Sequence, residues 1–94
     1  MPLTIKFIGA LRHISGKKQF TLNFPEGTAI KEVVATLTEQ FPELKHIFSD
    51  QELNDAQSNS LILVNGKEIS ILDGYQTKLG ADDELVFVPV VHGG

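Results

Sequence analysis

Side chains able to do chemistry are sparse and scattered in this chain. There is no cysteine, which excludes disulfides, thiolate metal sites, iron–sulfur clusters and cysteine nucleophiles. The three histidines, His13, His46 and His92, are far apart, and no pair has the spacing of metal ligands. Asp82, Asp83 and Glu84 are adjacent carboxylates, but a catalytic pair has to converge across a cleft. Three in a row read instead as a solvated turn. The stretch SGKK at residues 15–18 lacks the GxxxxGK(S/T) frame of a phosphate-binding loop. No nucleophile stands beside a base. The residues therefore point to no metal, no resident cofactor and no stand-alone catalytic centre. What remains is the last group of the chain. FVPVVHGG ends on Gly93 and Gly94, a carboxylate with no side chain beside it. Glycine lets a backbone enter a channel where any Cβ would clash. Such an end suits delivery of a carboxylate into the active site of another protein.

The elements that would position this end are legible from periodicity. Residues 3–8 alternate, with Leu3, Ile5 and Phe7 on one face and Thr4, Lys6 and Ile8 on the other. Residues 19–24 alternate again, and the two stretches read as an antiparallel hairpin joined by a long connection over residues 9–17, into which Leu11 and Ile14 tuck. After the turn FPEG, Thr28 suits a helix N-cap. Ile30, Val33, Val34, Leu37 and Phe41 then fall on one helical stripe. Phe41-Pro42 ends the helix, because the residue before proline is pushed out of helical geometry. Leu44, Ile47 and Phe48 allow a short second turn, and residues 49–60 form a polar loop. LILVNGKEI reads as a hairpin around Asn65-Gly66, a pair suited to a type I′ turn. Asp73-Gly74 marks a further turn, and residues 76–79 suit a single helical turn ending at Gly80. The final strand starts at Leu85.

Both faces of that strand are apolar: Leu85 and Phe87 on one, Val86 and Val88 on the other. A strand apolar on both faces normally lies between two covering layers, yet one long helix covers only one face. Ile8, Val86 and Val88 are therefore expected to form an exposed apolar patch, the usual mark of a partner site. Pro89 cannot donate to a ladder and releases the chain from the sheet. Val90, Val91, His92, Gly93 and Gly94 then make a flexible tail, residues 90–94, with a reach of roughly 15–18 Å when extended.

The totals agree with one domain over residues 1–94. The net charge of −4 argues against direct nucleic-acid binding, which draws on a basic patch. The apolar runs are far below membrane-spanning length, and the first residues lack the pattern of a signal peptide. The expectation is a cytoplasmic protein.

Taken together, these segments resemble the ubiquitin-like sulfur carriers of the MoaD/ThiS type, a β-grasp family that includes the small subunit of molybdopterin synthase, the thiamin-pathway carrier and the ubiquitin-related modifiers. KFIGALRHISGK is similar to the opening strand and its Leu-Arg loop, here Leu11-Arg12. FPEGTAIKEVVATLTEQFPEL is similar to the turn, helix and Phe-Pro stop. LVNGKEI is similar to the Val-Asn hairpin, and LGADDELVFVPVVHGG to the closing acidic turn, apolar strand, proline and diglycine. The resemblance implies an α+β fold: a mixed sheet of four to five strands packed on one main helix. It implies that Gly93 and Gly94 carry the chemistry. A ubiquitin-activating-type enzyme would use Mg and ATP to adenylate the Gly94 carboxylate. A persulfide donor would then leave a thiocarboxylate whose sulfur passes to a cofactor precursor in molybdopterin synthesis, with the large molybdopterin synthase subunit as partner, or to tRNA. Ile8, Val86, Val88, Pro89, Val90, Val91 and His92 would face partner proteins. His92 before the diglycine is similar to the modifier branch, which implies the alternative of a protein modifier joined through Gly94 to lysines.

Overall fold

Residues 1–46 and 60–89 are described in a computed structural model of the chain. Five strands form one mixed sheet in the order β2-β1-β5-β3-β4. β1 (Pro2–Phe7) pairs antiparallel with β2 (Gln19–Asn23) and parallel with β5 (Glu84–Pro89). β3 (Ser60–Val64) pairs antiparallel with β5 and, through a two-residue turn, with β4 (Lys67–Glu68). Asn65 and Gly66 hold that turn with φ of 50° and 86°, the positive-φ pair that a type I′ hairpin requires.

The strand alternation in the sequence is the alternation of burial. Leu3, Ile5 and Phe7 of β1, Ile62 of β3, and Leu85 and Phe87 of β5 are buried together with Ile30, Val33, Val34 and Leu37 of helix α2 (Ile30–Gln40). Phe7 is the hub of an aromatic cluster. Its ring centroid lies 5.6 Å from Phe20, 6.0 Å from Phe41 and 5.8 Å from Phe87, separations at which edge and tilted ring pairs add to area burial. α2 stops at Phe41, before Pro42, as expected.

Three local expectations are corrected by the backbone, and a fourth, the short turn after α2, is met at Leu44. The connection after β1 is not plain loop: Ala10–Ser15 form a short helix, α1, whose Leu11 is buried. It closes on Gly16, at φ 74°, with the Gly16 N–H donating to the Arg12 carbonyl, a left-handed stop that glycine adopts at little cost. Thr28 does not cap α2. Its hydroxyl donates to the Pro25 carbonyl at 2.6 Å, completing the preceding turn. The cap position falls on Ala29, whose N–H donates to the Glu32 carboxylate at 3.2 Å, which is the glutamate half of a capping box. The second turn after α2 is a 3-10 helix over Pro42–His46 with Leu44 buried; Ile47 and Phe48, expected in it, lie outside the described residues. The turn expected at residues 76–79 sits earlier, as a 3-10 helix over Gly74–Gln76, because Lys78 is drawn into a bridge with Ala29.

The acidic turn is also more than solvated. Asp83 Oδ2 accepts the Gly80 N–H at 2.7 Å and Asp83 Oδ1 accepts from the Asn65 amide at 2.8 Å. The Asn65 side-chain oxygen accepts the Glu84 N–H at 2.9 Å. The β3–β4 hairpin is thereby tied to the head of β5, the strand that ends toward the tail.

Candidate functional site at the end of β5

β5 lies inside the sheet, with β1 on one side and β3 on the other. Its last residue, Pro89, stands opposite Ser60 at the start of β3. The strand that leads to residue 90 is therefore held on both edges. Leu85 and Phe87 are fully buried against α2, while Val86 and Val88 are half-buried on the opposite face. Ile8 follows β1 directly. Its N–H donates to the Phe87 carbonyl at 3.0 Å, which fixes it beside the end of β5, and its side chain is 45% exposed.

The expected trio of Ile8, Val86 and Val88 is thus brought together, and β3 adds two residues that the sequence reading did not assign. Val86 stands opposite Leu63 and Val88 opposite Leu61, and both leucines are half-buried on the outer face. The apolar strip runs across β3 and β5 and ends at Ile8, directly after β1. Its edges are polar: Lys6 lies beside Val86 on β1, and Glu68 opposite Leu63 on β4. Lys6 pairs with Glu84 at 2.9 Å. The signal for Leu61 and Leu63 was present, since LILV is apolar at both phases of the strand period.

Pro89 has a specific seat. Gly9 has φ 61° and ψ −134°, a backbone open essentially to glycine alone. A Cβ at Gly9 would sit 3.3 Å from Cγ of Pro89, so the proline ring rests on the bare Gly9 backbone. This contact gave no signal in the sequence, because a positive φ at the end of a strand leaves no periodicity.

Of the other expected site residues, Val90, Val91, His92, Gly93 and Gly94 lie outside the described residues. His13 is exposed on α1. Among the described residues no group of three or more His, Asp or Glu could hold a metal ion, and no helix is long and apolar enough to cross a membrane.

The comparisons with known proteins fit this geometry. Small archaeal modifier protein 3 of Haloferax volcanii is 26% identical over 95 residues that span the whole of both chains. The solution structure of small archaeal modifier protein 1 from Methanosarcina acetivorans superposes with a TM-score of 0.80 at 29% identity, covering 99% of this chain and 96% of that one. A putative molybdopterin converting factor subunit 1 from Pyrococcus furiosus gives a TM-score of 0.78 at 18% identity, covering 97% and 99%; that likeness speaks for the fold alone. The fold is the ubiquitin-like β-grasp. The ThiS family model matches residues 5–94, and with nearly the whole chain matched, the protein belongs to the ThiS family of ubiquitin-like sulfur carriers.

Proposed function

We propose that this protein carries sulfur on the carboxylate of Gly94, for molybdopterin synthesis or tRNA thiolation in the cytoplasm. The observation that supports it best is the construction of the exit. A strand paired on both edges ends at Pro89, beside an apolar strip of Ile8, Val86, Val88, Leu61 and Leu63. A docking surface adjoining a side-chain-free end is what a macromolecular substrate needs.

A carboxylate is a poor electrophile, so the chemistry must begin by activating it. In a ubiquitin-activating-type enzyme, a Gly94 oxygen attacks the α-phosphorus of Mg-bound ATP and pyrophosphate leaves. A protein persulfide then attacks the acyl carbon and AMP leaves, giving an acyl disulfide. A second thiol reduces its S–S bond, is itself oxidised to a disulfide, and the thiocarboxylate is left on Gly94. The carrier supplies the acceptor and the docking surface; the enzyme supplies the catalytic groups. In the molybdopterin branch the large synthase subunit would receive the loaded tail.

The test is ATP–pyrophosphate exchange by the adenylating enzyme. Exchange should depend on the full chain and vanish when Gly93 and Gly94 are removed. Exchange that persists without them would refute the assignment of Gly94.

A second reading is favoured by the full-length similarity to a small archaeal modifier protein. Here the activated Gly94 carbonyl is taken by a lysine amine of a target protein and AMP leaves, forming an isopeptide bond. The reading predicts Gly94-dependent diglycine remnants on lysines in digests of cell lysate. Their absence, with thiocarboxylate present, would leave only carrier chemistry.

A further inference from the structure

The charge of this chain is strongly segregated. Residues 1–25 hold four of the eight Lys and Arg and no Asp or Glu, a formal +4, while the other sixty-nine hold four Lys and Arg against twelve Asp and Glu, a formal −8. The fold gathers the basic part on one lobe. Arg12, Lys17 and Lys18 line an open depression of about 740 Å³ at α1 and the connection into β2. All three are exposed, and among the described residues none is in a salt bridge.

The lobe is held in shape by its own backbone. Leu11 anchors α1 in the core. Ser15 Oγ donates to the Leu11 carbonyl at 2.8 Å and accepts the Lys17 N–H at 3.1 Å. The Lys18 carbonyl accepts the Phe7 N–H at 3.0 Å, tying the connection to the end of β1. Gly9, the seat of Pro89, also lines the depression. A second cleft of about 290 Å³, lined by Lys6, Ile8, Arg12 and Lys18 among others, joins the lobe to the apolar strip.

We propose that Arg12, Lys17 and Lys18 form the charged half of the docking surface and take an acidic segment of the protein that receives the tail. The proposal rests on the activation reading above and names the chemistry of the partner. Three considerations select this occupant. The depression that the three cations line is broad and open, about 740 Å³, which suits a row of carboxylates better than a single small anion. The lobe is continuous with apolar surface at Ile8, and a protein segment offers both chemistries side by side. A nucleic acid gains affinity through many phosphate contacts, and the −8 over the rest of the chain opposes its approach.

The experiment measures KM and kcat of the adenylating enzyme for this chain in ATP–pyrophosphate exchange, at several salt concentrations. The variants are R12E/K17E/K18E and the milder R12Q/K17Q/K18Q. The control K31E/K45E/K78E makes the same change in net charge at exposed lysines elsewhere. The expected result is a KM raised at least about tenfold for charge reversal at low salt, corresponding to about 1.4 kcal/mol. Neutralisation falls between, the control stays near wild type, and kcat is unchanged. Raising salt from 0.1 to 1 M shortens the screening length from about 10 to about 3 Å, so wild-type KM should climb toward the variant value. An unchanged KM in both lobe variants would overturn the proposal. So would an equal rise in the control, which assigns the effect to overall charge. A tRNA gel shift lost in the lobe variants while KM is unmoved would overturn it in favour of nucleic acid. Absence of exchange with the wild-type chain would remove the activation reading itself, and this docking role with it.

Discussion

At the scale of single residues, Gly9 and Asn65 do the most with the least mass. Gly9 combines a backbone angle that an L side chain disfavours with a Cβ position 3.3 Å from the Pro89 ring. Gly9→Ala is expected to cost about 1–3 kcal/mol of stability from a positive-φ backbone that suits glycine alone, plus a steric part that shifts Pro89. Urea denaturation of the single variant, Pro89→Ala and the double variant separates the two. Coupling between the sites should be measurable, because contacting residues are not additive, and strictly additive effects would deny the contact. Asn65 holds φ 50° and makes two side-chain hydrogen bonds, to Asp83 and from the Glu84 N–H. Asn65→Ala should lose about 1–3 kcal/mol, from the unmade hydrogen bonds and the strained φ. Asn65→Gly should recover only the backbone part; equal stabilities for these two variants would contradict this division.

At the scale of elements, the buried stripe of α2 makes the sharpest prediction. Val34 is 3% exposed within the core, and Val34→Asp would leave an uncompensated charge there. The cost, at least about 3 kcal/mol, takes up much of the stability typical of a small domain, about 5–15 kcal/mol. Circular dichroism should show an unfolded or markedly destabilised chain, and a native melting curve would refute the packing of α2. Elements with strong periodicity were readable in advance: the alternation of Leu3, Ile5 and Phe7, the stripe from Ile30 to Leu37, and the Asn65-Gly66 hairpin all stand where the pattern put them. Elements decided by hydrogen bonds across the fold were not. Thr28 has the chemistry of an N-cap, but its hydroxyl is taken by the Pro25 carbonyl, and Glu32 closes the helix start instead. The six residues of α1 offer too short a window for a helical period. Asp83 reads as solvated until β5 brings it to Asn65. The site divides the same way: Ile8, Val86 and Val88 could be assigned to one face by alternation, whereas the addition of Leu61 and Leu63 depends on the register between β3 and β5.

At the scale of the whole molecule, the sheet separates two tasks. One face is closed by α2 and supplies stability; the other leaves an apolar strip bordered by a basic lobe at the end of β5. Substitutions on the open strip should therefore affect recognition more than folding. Ile8→Ser with Leu63→Ser is expected to cost about 2 kcal/mol of stability or less, since both side chains are partly exposed, and to raise KM for the adenylating enzyme about tenfold. A KM unchanged in a folded variant would remove the strip from the docking surface. The central claim concerns the last atom group of the chain, and one measurement addresses it most directly: intact mass after incubation with the adenylating enzyme, Mg·ATP, a persulfide donor and a reducing thiol. The account predicts an oxygen-to-sulfur mass gain that fragmentation places at Gly94. An unchanged mass, under conditions in which the same enzyme preparation forms the Gly94 adenylate, would contradict it.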